Sequence, residues 1–154
     1  MIERLNHVGL SVTSLEQSFR FYRDLLGLEV AFVGTFDGDR YERILGLGGA
    51  RGKIALLKGP NIQVELFEFL HPHPEAADPH RPVCDRGITH FCIEVSDILA
   101  EYERLNAAGV PFHSAPVDFF GEATAAYGRD PDGNVFELWE RGEGAAQPAR
   151  NVRQ

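Results

Sequence analysis

Two stretches of the chain alternate apolar and polar residues in the same way. Residues 6–12 read Asn-His-Val-Gly-Leu-Ser-Val, and residues 89–95 read Thr-His-Phe-Cys-Ile-Glu-Val. The apolar positions coincide (Val8/Phe91, Leu10/Ile93, Val12/Val95), and so do His7 and His90. Period-two alternation predicts a half-buried strand in each copy. Each histidine then lies on the face opposite the apolar row.

A helical period follows each strand. Thr13 and Ser14 precede Glu16 and Gln17, which is a capping-box pattern. Leu15, Phe19, Tyr22 and Leu26 mark one helical face, and Gly27 suits the C-terminal cap. In the second copy Ser96 or Asp97 caps, Ile98, Tyr102 and Leu105 mark the face, and Gly109 ends the helix. Leu28-Glu29-Val30 and Val110-Pro111-Phe112 follow as short strands. Later, Ile62–Glu68 resembles Asn134–Glu140, each introduced by a turn: Gly59-Pro60-Asn61 and Asp130-Pro131-Asp132-Gly133. Each half therefore reads as strand, helix, then several strands, an α+β pattern written twice.

The halves span residues 1–70 and 88–141, in one compact domain overall. Residues 71–87, with Pro72, Pro74, Pro79 and Pro82, form the linker. Residues 142–154 are small and polar, and read as a frayed tail or an arm lying on a partner subunit.

The repeat places chemistry-bearing residues at equivalent strand positions. The first half offers His7 and Glu65, the second His90 and Glu137. A lone strand histidine or glutamate is ordinarily a surface residue. Recurrence of the pair at matching strands is not expected of unrelated surface residues. Two imidazoles and two carboxylates suit a borderline divalent metal such as Ni, Co, Fe, Mn or Zn. The flanking Glu68 and Glu140 read as solvent-facing. His71, His73 and His80 resemble a metal-binding tract but read as solvated linker. Cys92 shares the His90 face.

Composition narrows the partners. Lys+Arg number 15 and Asp+Glu 23, a net charge of −8, which argues against nucleic acid. No apolar run approaches the length of a membrane span, and no secretory signal is evident, so a cytoplasmic location is expected. Cys84 and Cys92 make neither a disulfide framework nor a Cys-x-x-Cys motif. Residues 34–52 are rich in glycine and carry Arg40, Arg43 and Arg51, with Lys53 just beyond. A loop or short helix there would cover the site, its cations holding a substrate carboxylate or phosphate. Phe67, Phe69, Phe119, Phe120 and Trp139 are candidates to line an apolar cup.

The chain resembles the vicinal oxygen chelate superfamily, which includes glyoxalase I, methylmalonyl-CoA epimerase, extradiol dioxygenases and the fosfomycin and bleomycin resistance proteins. Its marks are Asn6–Val12, then Phe21-Tyr22-Arg23-Asp24-Leu25-Leu26-Gly27-Leu28, then Asp130–Glu137. The resemblance implies two tandem βαβββ modules forming a cupped mixed sheet around a metal, and a homodimer. His7, Glu65, His90 and Glu137 fall on the positions that supply the family's ligands. Their order is similar to bacterial glyoxalase I; methylmalonyl-CoA epimerase usually has Gln at the position of Glu65. Both reactions take a proton from beside a carbonyl of a small oxygen-rich substrate. The resemblance implies a metal-dependent lyase or isomerase, with Glu65 or Glu137 as base.

Tyr127-Gly128-Arg129-Asp130-Pro131-Asp132-Gly133 through Glu137 also resembles the end of the extradiol dioxygenase signature. There Tyr127 would orient and deprotonate a catechol at Fe(II). That signature's upstream histidine is absent: Asp118, Phe119 and Phe120 occupy the region, and His113 lies too far back. A metal-free drug-binding protein of the bleomycin-resistance kind is a third reading. Those proteins generally lack the four-residue set.

Overall fold

A computed structural model describes residues 1–142. The tail expected from residue 142 lies outside them from residue 143 on. The chain divides into two compact units, Met1–Asp78 and Pro79–Gln154. Among the described residues no helix is long and apolar enough to cross a membrane.

The first unit runs β1 (Val8–Ser11), α1 (Leu15–Phe19), β2 (Glu29–Phe36), α2 (Asp39–Leu45), β3 (Arg51–Lys58) and β4 (Gln63–His71). Its four-stranded sheet has the order β1-β4-β3-β2, with β1 parallel to β4 and the other pairs antiparallel. One face carries Leu10, Ala55, Leu57, Val64 and Leu66, and α1 packs against β3 and β4 there. The opposite face carries Gly9, Glu65 and Leu56 in one cross-strand row. At its far end Phe36, Ala50 and Ile54 are buried with Tyr41, Leu45, Phe67 and Phe69. Tyr41 and Leu45 come from α2, so this helix covers part of the Glu65 face, as the glycine-rich segment suggested.

The second unit runs β5 (Phe91–Glu94), α3 (Ile98–Ala107), β6 (Val117–Phe119), β7 (Ala123–Arg129) and β8 (Val135–Arg141). Its sheet has the matching order β5-β8-β7-β6, with β5 parallel to β8. Phe136, Leu138 and Ala126 are buried on the α3 side with Ile98 and Leu105. Cys92, Glu137 and Tyr127 form one row on the other face.

Both helix starts are capped as their sequences predict. The Ser14 side chain accepts from the backbone N–H of Gln17, and that of Asp97 from Ala100. The interior of the first helix differs from expectation. Arg20–Leu25 is π-helical, with Leu26 N–H donating to Phe21 O at 2.9 Å. The wider turn rotates the buried face. Ser18 and Phe21 are buried with Leu15 and Tyr22, while Phe19 stays partly exposed beneath the Arg23 guanidinium.

Three further expectations change. Glu68 and Glu140 do not simply face solvent. A Glu68 carboxylate oxygen accepts from the Leu15 N–H at 2.8 Å, and one of Glu140 from Ile98 at 3.4 Å. In each unit a carboxylate from the last strand thus meets the positive end of the helix. Residues 110–112 form only an isolated bridge, Phe112 to Gly128, because Pro111 has no N–H to give a ladder. His71 belongs to β4 rather than to the linker.

Candidate metal centre

The strand registers set the first pair. Gly9 pairs with Glu65, and His7, two residues before Gly9, lies on the same face. Its Nε2 is 3.5 Å from Glu65 Oε2. Its Nδ1 is 2.9 Å from Asn6 Oδ1. An amide oxygen only accepts, so Nδ1 donates to it, and Nε2 is the ring nitrogen turned toward the carboxylate.

The second pair repeats this arrangement. Cys92 pairs with Glu137, and His90 lies two residues before Cys92. His90 Nε2 is 3.1 Å from Glu137 Oε2, and its Nδ1 is 3.0 Å from Thr89 Oγ1. In both units the residue immediately before the histidine holds Nδ1. Asn6 and Thr89 were passed over in the sequence. Their only signal is that each precedes a histidine and carries a side-chain oxygen.

A bare imidazole lone pair facing a carboxylate is repulsive unless a proton or cation lies between them. The separations suit a cation. Bonds of about 2.0–2.2 Å to nitrogen and oxygen, at angles between octahedral and tetrahedral, separate neighbouring ligands by about 2.8–3.6 Å. The donor types suit Zn, Ni, Co, Mn or Fe(II). Each pair supplies two donors, and among the described residues no group of three or more His, Cys, Asp or Glu side chains is gathered for a metal. The residues thus fit a metal as two half-sets, one in each unit.

The surroundings of the two pairs differ. Beside Glu65 the row continues into Gly9 and Leu56, which bear no titratable group. Beside Glu137 it continues into Cys92 and Tyr127. Burial and then the Glu137 carboxylate push the Cys92 thiol up to about 12. Burial, then Glu137, likewise raises the Tyr127 phenol, so both groups keep their protons at neutral pH. The Tyr127 ring is 4.8 Å from that of His90. His113, set aside as too far back for a signature, lies beside Tyr127: its N–H donates to Tyr127 O at 2.8 Å, and the rings are 6.2 Å apart. Arg129 Nε donates to His113 Nε2 at 3.1 Å. Burial, then Arg129, lowers the His113 pKa.

The remaining candidates are dispersed. Arg40 and Arg43 lie on α2, and Arg51 opens β3, exposed. Phe119 ends β6, and Phe120 is almost fully exposed with φ 57°. Phe67 lies on the Glu65 face and Trp139 on the Glu137 face.

Known proteins share this organisation. The family model described as Glyoxalase/Bleomycin resistance protein/Dioxygenase superfamily matches residues 4–138. An ethylmalonyl-CoA/methylmalonyl-CoA epimerase of Cereibacter sphaeroides is 36% identical over 109 residues, covering 71% of this chain and 73% of that protein. A 2-epi-5-epi-valiolone epimerase of Actinomyces sp is 34% identical over 107 residues, covering 67% of this chain and 57% of that protein. The crystal structure of a glyoxalase family protein from Bacillus cereus superposes with a TM-score of 0.84 at 26% identity, covering 92% of this chain and 95% of that one. With its duplicated modules and the match over most of its length, the chain belongs to the glyoxalase/bleomycin resistance protein/dioxygenase superfamily.

Proposed function

We propose that the protein is a metal-dependent lyase or isomerase that takes a proton from the carbon beside a carbonyl. The observation that carries this reading is the repeated His–Glu pair, each with Nδ1 held and Nε2 turned to the carboxylate. His7 and Glu65 of the first unit, and His90 and Glu137 of the second, would each supply half of the ligand set of a divalent ion. When bound, such an ion offsets the negative charge that develops on the substrate oxygen as the proton leaves.

The chain's own residues do the rest. Glu65 or Glu137 accepts the carbon-bound proton and returns it. Asn6 and Thr89 hold the imidazoles in orientation through Nδ1. Tyr127, kept protonated, donates a hydrogen bond to a substrate oxygen. Phe67 and Trp139 supply apolar walls that limit water. Similarity to two epimerases supports isomerisation within this class. The substrate is a small oxygen-rich carbonyl compound, and the working unit is a homodimer.

The test is solvent exchange. The protein, incubated in deuterium oxide with acyl thioesters and α-hydroxy carbonyl compounds, is expected to place deuterium beside the carbonyl. Glu65→Gln and Glu137→Gln then distinguish which carboxylate is the base. Tyr127 beside His90 favours a second reading, ring cleavage of a catechol at Fe(II). Dioxygen uptake with a catechol, and no exchange, would select it.

A further inference from the structure

A second polar feature lies on the Glu65 face of the first unit. Lys58 pairs with Gln63, and Leu56 with Glu65, so Lys58 is one row along the same face. Strand spacing and rise put the Lys58 and Glu65 Cα atoms roughly 8 Å apart. Here a cavity of about 250 Å³ is lined by Arg4, Asn6, Lys58, Asn61 and Gln63, with Leu5 and the Gly59-Pro60 turn.

Its chemistry runs against that of the whole chain. The protein carries a net charge of −8, yet this cavity has two cations, three carboxamides and no carboxylate in its lining. Among the described residues neither Arg4 nor Lys58 makes an ion pair. Asn6 spends its Oδ1 on His7, which leaves its Nδ2 as a donor. Gln63 Nε2 donates to Asn6 O at 3.2 Å, which ties the cavity wall to the residue that holds His7. The fixed charge of the lining is therefore wholly positive, with carboxamide N–H donors beside it.

We propose that this cavity is a phosphate subsite, which seats a phosphate ester of the substrate whose carbonyl lies at His7 and Glu65. An arginine fork, an ammonium and several amide N–H groups match the three terminal oxygens and double charge of a phosphate better than a carboxylate's two oxygens. The volume accommodates such a group and the first atoms beyond it. The substrate is then a carbonyl compound with a phosphorylated handle, and Asn6 contacts the phosphate while holding His7 at the other end. The assignment of substrate rests on the proton-abstraction reading. The binding site itself does not.

The experiment titrates potassium phosphate into the full-length, ¹⁵N-labelled protein at constant ionic strength, before and after removal of metal by a chelator. Saturable amide shifts are expected at Arg4, Asn6, Lys58 and Asn61, retained after chelation. Lys58→Gln and Arg4→Gln are each expected to weaken binding about tenfold, the loss of one charge-assisted contact. Acetate is expected to bind at least tenfold more weakly. Shifts that vanish with the metal, centre on Arg40, Arg43 and Arg51, or persist in both variants overturn the proposal. Equal binding of acetate overturns the phosphate assignment. Phosphate binding in a protein that takes up no metal would instead sink the proton-abstraction reading and leave the subsite standing.

Discussion

Replacing Asn6 by alanine removes the acceptor that fixes His7. The ring then turns more freely, and its Nε2 no longer points at Glu65 by default. Loss of such a partner behind a ligand lowers metal affinity about 10- to 100-fold, or about 1.4–2.7 kcal/mol. The structure orders the two histidines within that range. The His7 side chain is 41% exposed and that of His90 26%. Water replaces the lost acceptor more readily at the more exposed ring, so Asn6→Ala is expected near tenfold and Thr89→Val nearer the upper end. Folding stability without metal is expected to move by less than about 0.5 kcal/mol for Asn6→Ala, since the residue is exposed. The assay is competition with a chromophoric chelator for Zn or Co. Asn6→Asp sharpens it. The carboxylate keeps an acceptor for His7 and holds metal affinity near wild type, while its charge expels phosphate from the adjoining cavity. Unchanged affinity in both Asn6→Ala and Thr89→Val, or a larger loss at the more exposed histidine, would refute the reasoning.

Three other outcomes are expected. Burial pushes the Glu68 carboxyl up, but Lys53 and the Leu15 N–H outweigh this and leave it below its ordinary value of 4.5. Its contribution is therefore full above that value and lost as pH falls through the lower folded one. Glu68→Gln should cost about 1 kcal/mol at pH 7, the deficit shrinking below pH 4.5 in urea melts; a deficit independent of pH would contradict this. Both cysteines are exposed, but with its thiol pushed up to about 12 Cys92 is expected to react with iodoacetamide at pH 8 more slowly than Cys84, as read by peptide mass spectrometry; equal labelling rates count against it. A Cβ at Gly128 would lie 2.5 Å from Cζ of the fully buried Phe136, whereas one at Gly9 meets nothing within 4 Å. Gly128→Ala should destabilise by about 1–3 kcal/mol and Gly9→Ala far less, with equal melting temperatures speaking against the packing.

Local periodicity was enough to read β1, β4, β5 and β8, the caps of α1 and α3, and the faces of His7 and His90. Alternation fixes a face wherever one side is buried. It does not report what returns to a residue from far along the chain. Glu68 and Glu140 alternate as solvent-facing residues would, yet each meets a helix start more than forty residues earlier in sequence. The π-turn was equally hidden, because Leu15, Phe19, Tyr22 and Leu26 also satisfy an ordinary helix. Arg4 and Lys58 lie in unremarkable segments and meet only through the β3–β4 register and the N-terminal approach to β1. Asn6 was visible only as part of a motif, not as the residue that holds Nδ1 of its neighbour.

Each histidine enters just before a border strand of its sheet: among the described residues β1 pairs with β4 and β5 with β8, each on one side. Such short border strands are the first to peel away, at a cost well below that of unfolding the whole sheet. Detaching four residues carries the imidazole off its carboxylate and leaves β2–β4 or β6–β8 paired. An ion held as proposed would therefore exchange through brief fraying rather than denaturation. Such an ion would act in turn as a clasp on that fraying. Amide hydrogen exchange along Val8–Ser11 and Phe91–Glu94 should slow when metal is added, while exchange in β3 and β7 stays as it was.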